Sequence, residues 1–213
     1  MENPFVLRPY EGVEVFCDRE KETREIIDDL KNGVNVTLIS PRRYGKTGLI
    51  YRVFDELTRT SSSFTLCYCD IYSADGLDSF VKLLSESILA NLKTKPTLKK
   101  FFSFFSGIRP LVSYDPISGS PQVSIIYQNE GQKLSTLKSI FDFLGSQKKK
   151  FVIAFDEFQI IRTFKGVNME ALLRTYIQPL KNVRFVFCGS QKHIMNDMFV
   201  NERSPFYEST HII

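Results

Sequence analysis

The sequence predicts an α/β fold: a parallel sheet with helices on both faces. Three observations predict it. Short apolar, β-branched runs alternate with amphipathic helical stretches along most of the chain. The first run leads directly into SPRRYGKT, residues 40–47. The third ends in the acidic pair Asp156-Glu157. Alternating strand and helix is the pattern that right-handed crossovers fold into a parallel sheet.

The elements follow in order. Residues 3–16 are irregular and carry Pro4 and Pro9. A charged helix is expected from Asp18 to Lys31, with Ile26, Ile27 and Leu30 on one face and Asn32-Gly33 as its stop. VNVTLIS, 34–40, is short, apolar and β-branched, a buried strand. Beyond SPRRYGKT, Leu49, Ile50, Val53, Phe54 and Leu57 recur at helical spacing. FTLCYCDI, 64–71, is a second buried strand, and 77–92 another amphipathic helix. Residues 97–130 break the rhythm. LKKFFSFFSGI reads as helical, and RPLVSY and QVSIIY as two strands of an inserted β-hairpin turned by DPISGSP. The FFSFF cluster reads as packing, because it is too short and too weakly polar on its other face for a membrane-surface helix. Leu134 to Leu144 returns to helix. FVIAFDEF, 151–158, is the third buried strand, 168–180 a helix, VRFVFCGS, 183–190, the fourth strand, and 192–200 a short helix that His193 helps to start.

Composition sets the outer bounds. The 213 residues are 43% hydrophobic and 24% charged, which suits one domain with a sizeable core. A net charge of +4 does not call for nucleic acid, and the runs Lys99-Lys100 and Lys148-Lys149-Lys150 read as solvated faces. No apolar run nears the roughly 20 residues that cross a bilayer, and no basic-then-apolar leader opens the chain. The expectation is a cytoplasmic protein without a membrane partner. Cys67 and Cys69 point the same way along a strand and read as small buried hydrophobes, not as zinc or disulfide partners.

SPRRYGKT has the context that makes a phosphate-binding loop credible, a buried strand before it and an amphipathic helix after it. Against the spacing G-x-x-x-x-G-K-[ST], Ser40 replaces the first glycine, while Gly45, Lys46 and Thr47 match. Backbone N–H groups of such a loop and the helix N-terminus face phosphate. The expected nucleotide contacts are Ser40, Pro41, Arg42, Arg43, Tyr44, Gly45, Lys46, Thr47 and Gly48. Lys46 would neutralise β/γ-phosphate oxygens, and Thr47 would give its hydroxyl to Mg²⁺. A positive φ at Ser40 would cost on the order of 1 kcal/mol, and Pro41 removes one N–H donor. Arg42 and Arg43 either touch phosphate or pair with acids elsewhere.

FVIAFDEF supplies the complementary chemistry. In nucleotide hydrolases of this type an aspartate at a strand end, here Asp156, holds Mg²⁺ through water, and the following glutamate, here Glu157, polarises the attacking water. Gly189-Ser190-Gln191 ends the fourth strand. Ser190 or Gln191 either reaches the γ-phosphate or the water, or makes an ordinary strand-to-helix turn.

VFCDREKE, residues 15–22, with NPF, SPRRYGKT, IAFDEFQ, CGSQ, SPFYEST and the hairpin insert, resembles the archaeal-type ATPases of the AAA+/STAND group, in versions found in Bacteroidetes-like bacteria. The likeness spans nearly the whole chain. Phe16 and Cys17 fill the two apolar places of that group's opening motif, Asp18 stands where it has glycine, and Arg19, Glu20 and Glu22 match. The resemblance implies an ASCE-type P-loop sheet of order 5-1-4-3-2. It also implies adenine contacts at Phe16, Asp18 and Arg19. Relatives carry an arginine after the P-[LF]-Y segment. Here that place is Ser209, and Arg203 is either a substitute charge sensor or a solvated arginine. Residues 1–33 would be the adenine-side segment and helix of one ATPase domain spanning 1–213, and 97–130 its insert. The fifth strand would only begin at the chain's last residues, with the lid missing, as in a fragment or truncated product with an unpaired edge beside the first strand.

The expected function is a Mg²⁺-dependent ATPase acting as a nucleotide switch, with Lys46, Glu157 and Ser190 in catalysis and Thr47 and Asp156 on the metal. The expected partners are ATP and either another protein or a second copy of the chain. The alternative is an ATP-binding interaction module with little or no turnover, to which the missing lid, the missing arginine and Ser40 all point. A small-molecule kinase shares the loop, but the acidic pair and the Ser/Gln-ended strand favour water as the acceptor.

Overall fold

The computed structural model describes residues 10 and 12 and residues 18–61, 63–92, 94–105 and 111–213. Phe16, Cys17 and the NPF segment lie outside the described residues. No helix of the described residues is long and apolar enough to cross a membrane.

Helix α1, Glu20–Asn32, starts two residues later than its charge pattern suggests. Asp18 and Arg19 before it both sit at positive φ, 64° and 65°. A short polar aspartate tolerates that conformation better than most residues, which accounts for Asp18 at a place where the resembled group has glycine. Gly33, at φ 90°, ends the helix by donating its N–H to the Asp29 and Leu30 carbonyls. Strand β1, Val36–Ile39, runs into the loop, and α2, Lys46–Thr60, leaves it. Then come β2, Phe64–Asp70, and α3, Leu77–Asn91. Helix α4, Lys95–Ser103, and the antiparallel hairpin of β3, Leu111–Tyr114, and β4, Pro121–Ser124, come next. The second hairpin strand stops short of the expected QVSIIY, and Ile126 is exposed.

Helix α5, Glu130–Gly145, begins earlier than its apolar pattern, because the Asn129 side chain caps it by accepting from the Gln132 N–H. Strand β5, Lys150–Asp156, is followed by a 3-10 turn over Phe158–Thr163. Helix α6, Met169–Ile177, ends before the expected residue 180. Pro179 lacks the N–H that a further turn would need. Strand β6, Val183–Gly189, and α7, Lys192–Phe199, follow, and β7, His211–Ile212, closes the sheet.

The main sheet is parallel, in the order β2-β5-β6-β1-β7. With the hairpin strands left out of the count, this is 2-3-4-1-5, the expected 5-1-4-3-2 read from the other edge. The numbering differs only because the separate hairpin takes two strand numbers. The edge of β1, expected to be unpaired, is instead partnered by β7: Val36 stands against His211 and Thr37 against Ile212, and Ile39 N–H donates to the Ile213 carbonyl.

Period-two alternation divides each central strand between two cores. Val152 and Ala154 of β5 pack with Val186 and Cys188 under α1 and α2. Phe151, Ile153 and Phe155 face α3, α5 and α6 with Phe185 and Phe187. On that second face the rings form a pile: Phe155 and Phe185 stack at 6.2 Å, Phe158 and Phe187 lie 4.6 Å apart, and Phe199 and Phe206 close it at 5.3 Å from each other. Each fully buried ring contributes about 1.5–3 kcal/mol. Phe101 and Phe105 of the FFSFF cluster are buried in the same core, as core packing requires. Cys67 and Cys69 are buried free thiols on that side too. The rigid double-faced sheet holds the carboxyl ends of β1, β5 and β6 together, where open α/β sheets carry their ligands.

Candidate functional site

The loop after β1 rises from Ser40 and re-enters helix at Lys46. Its backbone strain does not fall on Ser40, where a lost glycine could have put it. The left-handed residues are Arg43, at φ 67°, and Gly45, at φ 71°. An ideal Cβ at Gly45 meets no atom within 4 Å, so conformation alone demands glycine there. Pro41, Arg42, Arg43 and Tyr44 are exposed around the loop, while Gly48 is buried at its base.

Lys46 is buried, and its ammonium arches back over the loop. Nζ donates to the carbonyls of Ser40 at 2.7 Å and Pro41 at 3.0 Å. An ammonium has three donors, and two are committed to these carbonyls.

Beside the lysine, Thr47 Oγ1 donates to Asp156 Oδ2 at 2.8 Å. The same oxygen accepts the Tyr68 hydroxyl at 2.6 Å, and Oδ1 accepts the Glu157 backbone N–H at 2.9 Å. Asp156 is 5% exposed, so these donors are what its buried carboxylate has in place of water. Burial raises the Tyr68 hydroxyl far above its ordinary range, and the Asp156 charge adds to this, so Tyr68 remains a donor.

Glu157 turns the chain at φ 55° and aims its side chain across β6. Its Oε2 accepts the Ser190 hydroxyl at 2.7 Å and the Gln159 side-chain amide. Its Oε1 lies 4.0 Å from Arg42 Nε, and the Arg42 guanidinium sits 5.2 Å from the Tyr72 ring centre. The Ser190 hydroxyl is thus committed to the Glu157 carboxylate, a contact that neither sequence reading of Ser190 names. Gln191, not Ser190, stands at the N-cap of α7. Gly189 is closely packed: a Cβ there would run into the Met195 side chain and lie 2.6 Å from Gln159 Oε1, so both would have to shift.

Asp70 stands opposite Asp156 in the β2–β5 register. Burial lifts its carboxyl above the ordinary range, the Tyr72 backbone N–H opposes that, and the Asp156 and Glu157 charges add to the rise.

The fold therefore brings together Arg42, Lys46, Thr47, Asp156, Glu157 and Ser190. Sequence reasoning missed Tyr68 and Gln159, which look like any strand aromatic and any turn amide. Among the described residues, no hydrogen bond or ion pair ties Asp18 or Arg19 to the loop. The Arg19 carbonyl instead accepts from the backbone and hydroxyl of Thr23. Glu20 pairs with Arg24 at the surface. Arg203 is exposed and donates its backbone N–H to Asn201. His193 is exposed in the first turn of α7.

The oxygen donors of Thr47 and Asp156, already in mutual contact, fit a hard divalent cation such as Mg²⁺.

Among solved structures, the chain is similar to the Walker-type ATPase of Pyrococcus abyssi, with 23% identity and a TM-score of 0.62 over 99% of this chain and 57% of that one. It is also similar to the Aeropyrum pernix ORC1 protein in complex with DNA, with 16% identity and a TM-score of 0.58 over 94% and 46%. For the ADP form of the Aeropyrum pernix ORC2 protein the values are 15% and 0.57 over 100% and 50%. The chain spans about half the length of these proteins. No protein-family model matches it, and no curated protein does. At such identities the likeness is one of fold alone, the P-loop NTPase fold of a parallel sheet flanked by helices.

Proposed function

We propose that the chain binds ATP with Mg²⁺ and hydrolyses it, acting as a nucleotide switch. The observation that carries this reading is the hydrogen bond from Thr47 to Asp156, with Lys46 and Glu157 on either side. Loop, metal ligands and base come from two separate stretches, residues 40–48 and 156–157, and each has the role its chemistry suits.

Lys46 gives positive charge to the phosphates, with its remaining N–H as a donor. Thr47 and Asp156 hold the metal, whose part is to neutralise phosphate charge. Glu157 keeps Oε2 on Ser190 and Gln159 and offers Oε1 to the attacking water. Ser190 fixes that carboxylate. The loop residues 40–48 wrap the phosphates with backbone N–H groups. Phe16, Asp18 and Arg19 are proposed to flank the base, 1–33 being the adenine side of the domain and 97–130 an insert.

The same observation at Glu157 supports a second reading. A carboxylate held by a hydroxyl and an amide, with an arginine near its other oxygen, also fits an ATP-binding interaction module with little turnover. The deciding experiment combines ATP calorimetry with and without Mg²⁺ and steady phosphate release. Binding that needs Mg²⁺, with release, supports the switch; binding without release supports the module. Absence of binding overturns both. The Aeropyrum ORC1 structure is a complex with DNA, and salt-sensitive DNA binding by this chain would add a partner that its short lysine runs do not call for.

A further inference from the structure

We propose that Tyr68 is a positioning residue for the metal-binding carboxylate of Asp156, an inference that rests on the ATPase reading above. Tyr68 lies on β2, 88 residues away in sequence, yet its hydroxyl donates to Asp156 Oδ2 at 2.6 Å. The register explains the reach. Tyr68 stands opposite the small Ala154, so Asp156 is its diagonal neighbour one step further along β5. The ring lies 5.0 Å from the Tyr51 ring of α2, and the Ser87 hydroxyl donates to the Tyr68 backbone carbonyl, which anchors the strand that carries it.

Thr47 and Tyr68 share one oxygen of Asp156, and the Glu157 N–H takes the other. A carboxylate has about four lone-pair directions, so these three donors leave one, on Oδ1. The carboxylate is thereby held in one orientation with a single direction left to offer. Thr47 is itself proposed as a metal ligand. Whenever its oxygen turns to the metal, Tyr68 keeps the buried Oδ2 satisfied; without it, that oxygen would lack a donor. Tyr68 makes no claim on phosphate or water, and its role is to aim Asp156.

The test is Tyr68→Phe, which removes the hydroxyl and keeps the ring against Tyr51. A thermal melt checks that the variant folds. ATP binding is titrated with Mg²⁺, and separately measured in excess EDTA. The Mg²⁺ concentration for half-maximal binding should rise about tenfold, the loss expected for one hydrogen bond to a charged group. Binding in EDTA should stay within about twofold. In an Asp156→Asn background the same change should shift the Mg²⁺ midpoint by less than about twofold, since the charged carboxylate that Tyr68 aims is gone. An unchanged Mg²⁺ midpoint in Tyr68→Phe overturns the positioning role, as does an equal loss in EDTA or a full effect in the Asp156→Asn background. A parent that shows no Mg²⁺-dependent ATP binding overturns the ATPase reading itself, and this inference with it.

Discussion

Thr47 Oγ1 and Asp156 Oδ2 are 2.8 Å apart although 109 residues separate them in sequence. The contact locks the first turn of α2 to the carboxyl end of β5, across the intervening strand β6. It places a hydroxyl and a carboxylate where one cation can take both, and Lys46 and Glu157 follow from it by chain adjacency.

Lys46→Ala should lower ATP affinity on the order of 100-fold, the loss of charge-assisted hydrogen bonds to phosphate. Calorimetry on parent and variant reads it directly. Equal affinities would remove Lys46 from the phosphate site.

Glu157→Gln should keep ATP affinity within about threefold and cut phosphate release by roughly 100- to 10,000-fold, the range for loss of a general base. An amide keeps the shape of the side chain but cannot take a proton. If parent and variant release phosphate at the same rate, Glu157 is not the base.

Gly189→Ala should destabilise the protein by about 1–3 kcal/mol, the cost of forcing extra volume into a packed core. The new methyl would meet the buried Met195 and Gln159 side chains at once. Denaturant unfolding measures the loss. Because Gln159 holds Glu157, phosphate release should fall as well. A variant as stable as the parent would show that Met195 and Gln159 can move aside.

Burial pushes the Cys67 thiol from an ordinary 9.0 up to about 12, and raises Cys69 and Cys188 as well. In the unfolded chain these thiols ionise near pH 9, while in the fold they stay neutral. Their contribution to stability is therefore complete below about pH 9 and is lost as the pH climbs toward 12. The melting temperature should fall over that interval. At pH 8 a thiol reagent followed by peptide mapping should leave all three unlabelled in the native protein and labelled in guanidinium. Rapid native labelling of Cys67 would contradict its burial.

Local spacing alone determined much of this protein. The alternation of apolar runs with Leu49, Ile50, Val53 and their kind set the α/β class. The strand before SPRRYGKT and the helix after it marked the loop, and the apolar run ending in Asp156-Glu157 marked the acidic pair. Such signals are legible because each depends on residues a few positions apart. Element ends were less legible, since they turn on single groups such as the Asn129 cap and the missing Pro179 N–H. What only the tertiary structure decided is which side chains meet. Periodicity says that Tyr68 faces one side of a strand, but not that β2 lies beside β5 in a register that brings its hydroxyl to Asp156. Likewise Ser190 reaches Glu157 only because β6 packs next to β5. Strand order and register come from the packing of two whole cores, and no short window of sequence contains that packing.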